Sequence, residues 1–176
     1  MEQSADRQPN LIIFDSNIIQ YTAHQKSANA FKKYIAELIT RGFTFAISNI
    51  TVYELLKGAT QRTEAKMVSL LDEFYKFEID ESVLQYAAKL ESVYKLEDIY
   101  PNEIEDGDKI IVVTALLSSG IILAANAMDF PVPFFKEVER QFITFEYGRE
   151  RTRTIVVYLL QPQLDITEKR IAEVPQ

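Results

Sequence analysis

The sequence contains no cysteine and only one histidine, His24. Without cysteine, disulfide bonds, thiolate zinc sites and cysteine nucleophiles are all excluded. A single histidine excludes a pair of histidines acting as general acid and base, and a Ser-His-Asp triad would have to use His24. Since His24 lies in the polar stretch TAHQKS, we expect it at an exposed loop or helix end. Hydrolytic chemistry would then depend on carboxylates and a metal.

Long apolar runs and an excess of basic charge are also missing. No apolar run approaches the ~20 residues needed to cross a bilayer, and no signal-like segment opens the chain, so we expect a cytoplasmic protein with no membrane partner. The formal net charge of −7 argues against a broad basic face for nucleic acid. Carboxylates can still carry divalent cations that bind phosphate locally.

The length of 176 residues and a hydrophobic content of 47% predict one globular domain. Short β-like runs alternate with helical stretches, which predicts an α/β fold around a largely parallel sheet. Strands are expected at 11–14, 43–47, 76–79, 121–123, 142–147 and 154–160, and helices at 28–39, 51–59, 64–74, 81–94 and 108–118. We expect a flexible N-terminus over 1–10, a single domain over 11–160 and a frayed polar tail over 161–176.

Four carboxylates follow expected strands or open helices: Asp15, Glu54, Asp108 and Asp129. Each has a local explanation, because Asp favours helix starts and turns, and the sequence from Thr51 to Glu54 matches a capping box. Ligands of an open parallel sheet, however, bind beyond the carboxyl ends of its strands, where these acids would meet. Carboxylates that share a pocket repel one another unless they are protonated or bound to metal. Oxygen ligands suit Mg²⁺ or Mn²⁺.

The contexts of these four acids resemble those of the PIN-domain family of metal-dependent ribonucleases. Asp15-Ser16-Asn17 matches the motif D-S/T-N/S, and Thr51–Gly58 matches T-x-x-E-L-x-x-G. Asp108–Ala115 matches D-x-x-I-x-x-T-A, and Asn126–Phe130 matches N-x-x-D-F. The resemblance covers about residues 11–130. It implies a three-layer α/β/α fold with a central, mostly parallel sheet, to which this chain would add a C-terminal hairpin.

The resemblance also implies a site and a reaction. Asp15, Glu54, Asp108 and Asp129 would bind one or two Mg²⁺ or Mn²⁺ ions that activate water and cleave RNA phosphodiester bonds. Asn17 and Asn126 would be supporting polar groups, and Asp106 is an additional candidate metal ligand in the acidic segment before the last helix. The resemblance implies an RNA substrate and, because many small members are VapC-type toxins, an antitoxin protein as partners. A second copy of the chain is a further expected partner, since the additional C-terminal hairpin could serve either sheet extension or self-association.

Two alternatives remain open. Family members usually carry Thr or Ser where this sequence has Ala124, and loss of that hydroxyl favours a weak or inactive PIN fold that binds RNA or protein. A phosphatase with an aspartate nucleophile would need a second aspartate two residues after Asp15, where the sequence has Asn17.

Overall fold

The computed structural model describes residues 10–99, 104–148 and 151–174, so all but the last residue of the expected N-terminal segment 1–10 lies outside it. Its strands are β1 (Leu11–Phe14), β2 (Thr44–Ser48), β3 (Tyr75–Phe77), β4 (Ile121–Ala124), β5 (Phe135–Glu146) and β6 (Thr152–Pro162). Its α-helices are α1 (Ser16–Ala23), α2 (Ala28–Thr40), α3 (Asn49–Lys57), α4 (Glu64–Leu71), α5 (Glu81–Leu96), α6 (Asp106–Ser118) and α7 (Leu164–Ala172). A short 3₁₀ helix covers Ala127–Asp129. None of the described helices is long and apolar enough to cross a membrane.

The six strands form one sheet in the order β3-β2-β1-β4-β6-β5. The first four strands of that order are parallel, whereas β6 pairs antiparallel with both β4 and β5. Connections between neighbouring parallel strands pass through helices, as parallel pairing requires. The expected α/β class, the mostly parallel sheet and the C-terminal hairpin are therefore confirmed.

Alternation along β1 divides the core between the two faces of the sheet. Ile12 and Phe14 are fully buried on the face covered by α1 and α2, and Ile13 is fully buried on the face covered by α5 and α6. Successive side chains of a strand point to opposite faces, so a central strand buried on both sides has to be apolar throughout. The result is the expected three-layer α/β/α arrangement.

The hairpin is longer than the sequence indicates, because β5 begins at Phe135 instead of residue 142. The first half of β5 is largely exposed and rich in charged residues, as is common in edge strands. The alternation of apolar and polar residues that indicates a strand is therefore hard to recognise in the sequence of this segment. It is attached to α2 through Arg41, whose guanidinium donates hydrogen bonds of 3.1 and 2.7 Å to the Glu139 carboxylate. The Tyr34 hydroxyl donates to the same carboxylate at 3.3 Å.

Two helices were not predicted. Helix α1 buries Ile18, Ile19 and Thr22, and it follows β1 without an intervening loop. Helix α7 occupies most of the segment expected to be a frayed tail, so that expectation is wrong for Leu164–Ala172. Thr167 of α7 is buried, and Leu164 and Ile171 pack against the core on the α5 side of the sheet. Their spacing of three and four residues is the helical pattern that the sequence already contained.

The prediction that Thr51 begins a capping box is also wrong. Helix α3 begins earlier, at Asn49, and its N-cap is Ser48, whose hydroxyl accepts a hydrogen bond from the Ile50 N–H at 3.4 Å. Thr51 is fully buried inside the helix. Glu54 is therefore not in the first turn of α3, and capping does not explain its position.

The buried face of β6 should contribute directly to stability. We predict that Leu159→Ala, at a side chain only 1% exposed, lowers the free energy of unfolding by about 2–5 kcal/mol because it leaves a cavity. Phe142→Ala is the control on the same hairpin, because Phe142 is 60% exposed and its loss should cost no more than about 0.5 kcal/mol. Denaturant unfolding measures both changes, and equal effects would contradict the burial of Leu159 in the core.

Candidate functional site

The four predicted acids lie together at the carboxyl edge of the parallel strands. Asp15 directly follows β1, and its backbone N–H donates to the Leu123 carbonyl of β4 at 3.0 Å, which extends the β1–β4 ladder to the acid itself. Asp129 ends the 3₁₀ helix after β4, Glu54 lies on α3 after β2, and Asp108 lies in the first turn of α6. All four line one open pocket of about 350 Å³.

Asparagine side chains hold two of these carboxylates. The Asn17 amide donates a hydrogen bond to the Asp15 carboxylate, and its carbonyl oxygen accepts from the Ala125 N–H at 3.0 Å. Asn17 thus connects Asp15 to the chain that leaves β4. The Asn126 amide donates to the Asp129 carboxylate at 2.7 Å. Both expected supporting residues therefore contact an acid of the pocket.

Burial and mutual repulsion raise the pKa values of the clustered acids. Burial, followed by the negative charges of Asp129 and Glu54, raises the pKa of Asp15 from 3.8 to about 7. Burial and then the charge of Asp129 raise the pKa of Asp108 to about 7 as well. The pKa values of Glu54 and Asp129 are also raised, in both cases mainly by burial.

Basic groups do little to balance this charge. Lys57 is the one basic residue among the described residues that line the pocket, and its side chain is exposed to solvent. Lys109, although close in sequence to Asp108, pairs with Glu91 at 2.5 Å and with Asp106 at 3.2 Å. Partly buried carboxylates without a cationic partner favour either protonation or a bound cation.

The donor set fits a hard divalent cation. The acidic groups that line the pocket offer only oxygen, which Mg²⁺ and Mn²⁺ prefer. Within residues 10–99, 104–148 and 151–174, no three acidic or histidine side chains are arranged to hold a metal ion directly. Mg²⁺ does not need such a set, because it usually retains several waters and takes only one or two protein carboxylates.

The structure separates Asp106 from the other candidates. Its side chain is 97% exposed and pairs with Lys109 at 3.2 Å, and it does not line the pocket. Glu105, which is not among the residues predicted from the sequence, lines the pocket instead. The reason is that α6 begins at Asp106, which makes Glu105 the N-cap residue. His24 lies exposed at the C-cap of α1, as expected.

The raised pKa of Asp15 predicts a pH dependence of stability in metal-free protein. The native state binds the proton of Asp15 more tightly than the unfolded chain does, so stability should fall as pH rises from about 4 through about 7 and then level off. Asp15→Asn should make this decline shallower and raise the melting temperature at pH 8 by a few degrees, since about 1 kcal/mol corresponds to about 2–4 °C. Thermal melts in chelator between pH 4 and 8 measure this, and parallel curves for both proteins would contradict it.

Comparison with known proteins assigns the fold to a family. The PIN domain profile matches residues 12–131, well over half of the chain. VapBC2 from Rickettsia felis, solved with a DNA fragment from its promoter, has 18% identity and a TM-score of 0.57, covering 70% of this chain and 93% of that one. A toxin-antitoxin complex from Klebsiella pneumoniae has 24% identity and a TM-score of 0.53, with coverages of 69% and 92%.

FitAcB from Neisseria gonorrhoeae is similar to the same extent, with 22% identity, a TM-score of 0.54 and coverages of 68% of this chain and 90% of that one. A comparison with curated proteins gave no significant match. At these identities the solved structures establish a shared fold. The match over residues 12–131 shows that this chain belongs to the PIN domain family.

Proposed function

We propose that this protein is an endoribonuclease that depends on Mg²⁺ or Mn²⁺. The observation that carries the proposal is the set of carboxylates that line one pocket at the carboxyl edge of the sheet. PIN domains are generally nucleases and generally use divalent metals, which agrees with the excess of negative charge in this pocket. A phosphodiester is itself an anion, so an acidic pocket would accept it only with the help of a cation.

Asp15, Glu54, Asp108 and Asp129 would hold the metal, either directly or through water. When bound, Mg²⁺ or Mn²⁺ lowers the pKa of a water molecule and offsets negative charge on the phosphate oxygens. Asn17 supports this arrangement by fixing Asp15 through a hydrogen bond.

Lys57 would contact the RNA strand at the edge of the pocket. It follows Glu54 by one turn of α3, and its ammonium group lies 5.8 Å from the centre of the Tyr53 ring. A solvent-exposed ammonium at the edge of the pocket is suited to a phosphate next to the one being cleaved, because it supplies positive charge there.

We predict that Asp15→Asn and Asp108→Asn each reduce Mg²⁺- or Mn²⁺-dependent cleavage of a single-stranded RNA to the background level. Asp106→Asn is the matched control, because it removes a neighbouring acid that lies outside the pocket and should leave cleavage close to wild type. Gel analysis of a labelled RNA, with thermal melts to verify folding, measures the effect. Unchanged cleavage by both pocket variants would refute the assignment.

The binding-module alternative rests on Ala124, which is buried and paired with Tyr158 of β6. In the same assay, a wild-type protein that binds RNA but does not cleave it, with either metal, would favour this alternative. A protein that cleaves RNA despite Ala124 would show that the missing hydroxyl is not needed.

We further propose that the protein is the toxin of a toxin-antitoxin pair. The support is its fold similarity to a toxin-antitoxin complex from Klebsiella pneumoniae and to VapBC2 from Rickettsia felis. An antitoxin would be a separate protein that binds this chain and blocks its activity.

Expression of the chain alone should arrest growth of a bacterial host, and Asp108→Asn should relieve the arrest. Co-expression of the product of an adjacent gene should restore growth and yield a complex on purification. Growth that is unaffected by the wild-type protein, at an expression level equal to that of the variant, would contradict the toxin assignment.

A further inference from the structure

Gly107 lies in the first turn of α6, between the exposed Asp106 and the pocket residue Asp108. A Cβ atom at Gly107 would overlap Oε1 of Glu54 and would lie 3.2 Å from Cδ of the same carboxylate. The space that a side chain would take at Gly107 is therefore the space that the Glu54 carboxylate occupies. The position of the Glu54 carboxylate of α3 against α6 therefore depends on the missing side chain of Gly107.

The crossing of α3 and α6 is fixed by packing next to the carboxylate. Ile50 precedes Glu54 by four residues, so both side chains lie on one face of α3. Cγ1 of Ile50 would lie 3.6 Å from a Cβ at Gly107, an ordinary packing distance. Ile50 packs against the hydrophobic core on the α6 side of the sheet, so the helices cannot separate there without exposing apolar surface.

We propose that Gly107 is a positioning residue for Glu54. By lacking a side chain, it allows the Glu54 carboxylate to lie against the first turn of α6 and to share the pocket with Asp108 and Asp15. This inference rests on the proposed function, in which Glu54 belongs to the metal-binding set.

The fold itself does not require glycine at this position. Gly107 lies in a regular helix and does not have the positive φ of Gly42 or Gly148. Alanine is a better helix former than glycine, and the atoms that a methyl group would displace are the mobile end of one side chain. Gly107→Ala should therefore move the Glu54 carboxylate and leave the domain folded.

Calorimetric titration of the metal-free full-length protein with Mn²⁺ tests this inference. Gly107→Ala should weaken Mn²⁺ binding by about 10–100-fold, as expected when the support of a metal ligand is lost, and Glu54→Gln should have a comparable effect. Gly58→Ala is the matched control, because a Cβ there would lie no closer than 3.6 Å to its nearest neighbour, the Glu54 carbonyl oxygen. It should bind Mn²⁺ like the wild type.

The double variant Gly107→Ala/Glu54→Gln separates a positioning role from a general disturbance. If Gly107 acts through Glu54, the double variant should bind Mn²⁺ no more weakly than Glu54→Gln alone, and Gly107→Ala should melt no lower than the wild type. Additive losses of affinity would overturn the inference, as would an unfolded Gly107→Ala protein.

The failures of the inference and of the proposed function are distinguishable. Normal Mn²⁺ binding by Gly107→Ala, combined with weakened binding by Glu54→Gln, would refute only the role of Gly107. Normal binding by Glu54→Gln would instead remove Glu54 from the proposed metal site, and the role of Gly107 with it.

Discussion

The parallel pairing of β1 between β2 and β4 is the constraint on which the rest of the site depends. These short strands are apolar because helices cover both faces of the sheet, and their register aligns Phe14 with Leu123. The residue after Phe14 therefore emerges beside the end of β4, and its N–H continues the ladder to the Leu123 carbonyl. Asp15, a residue only 2% exposed, is therefore positioned by the sheet and not by a loop.

Placing acids at such an edge is unfavourable for the apo-protein. Asp15 and Asp108 both have pKa values raised to about 7 because they are buried near other carboxylates. A structure selected only for stability would replace them or pair them with bases, yet Lys109 is directed to Glu91. Asn17 and Asn126 donate hydrogen bonds to Asp15 and Asp129, and a bound cation would relieve the repulsion among the carboxylates.

The chain continues beyond the matched region 12–131 with the β5–β6 hairpin and helix α7. The β5–β6 hairpin extends the sheet beyond β4 and contributes Leu159 to the core on the α1 and α2 side. Helix α7 packs on the opposite side, with Ile171 against the core there. The extension is thus built into both faces of the domain.

Local sequence determined the parallel strands, most helices and four of the five acids that line the pocket, because apolar periodicity and strand-end motifs depend on neighbouring residues alone. It does not determine where α3 and α6 begin, so the local pattern indicates a capping role for Thr51 and favours Asp106, although Glu105 is the residue that lines the pocket. It also could not indicate that Gly107 makes room for Glu54, since 53 positions separate the two residues. Only the crossing of α3 and α6 decides that contact, because a glycine leaves no pattern in the sequence when its function is to leave space for a distant side chain.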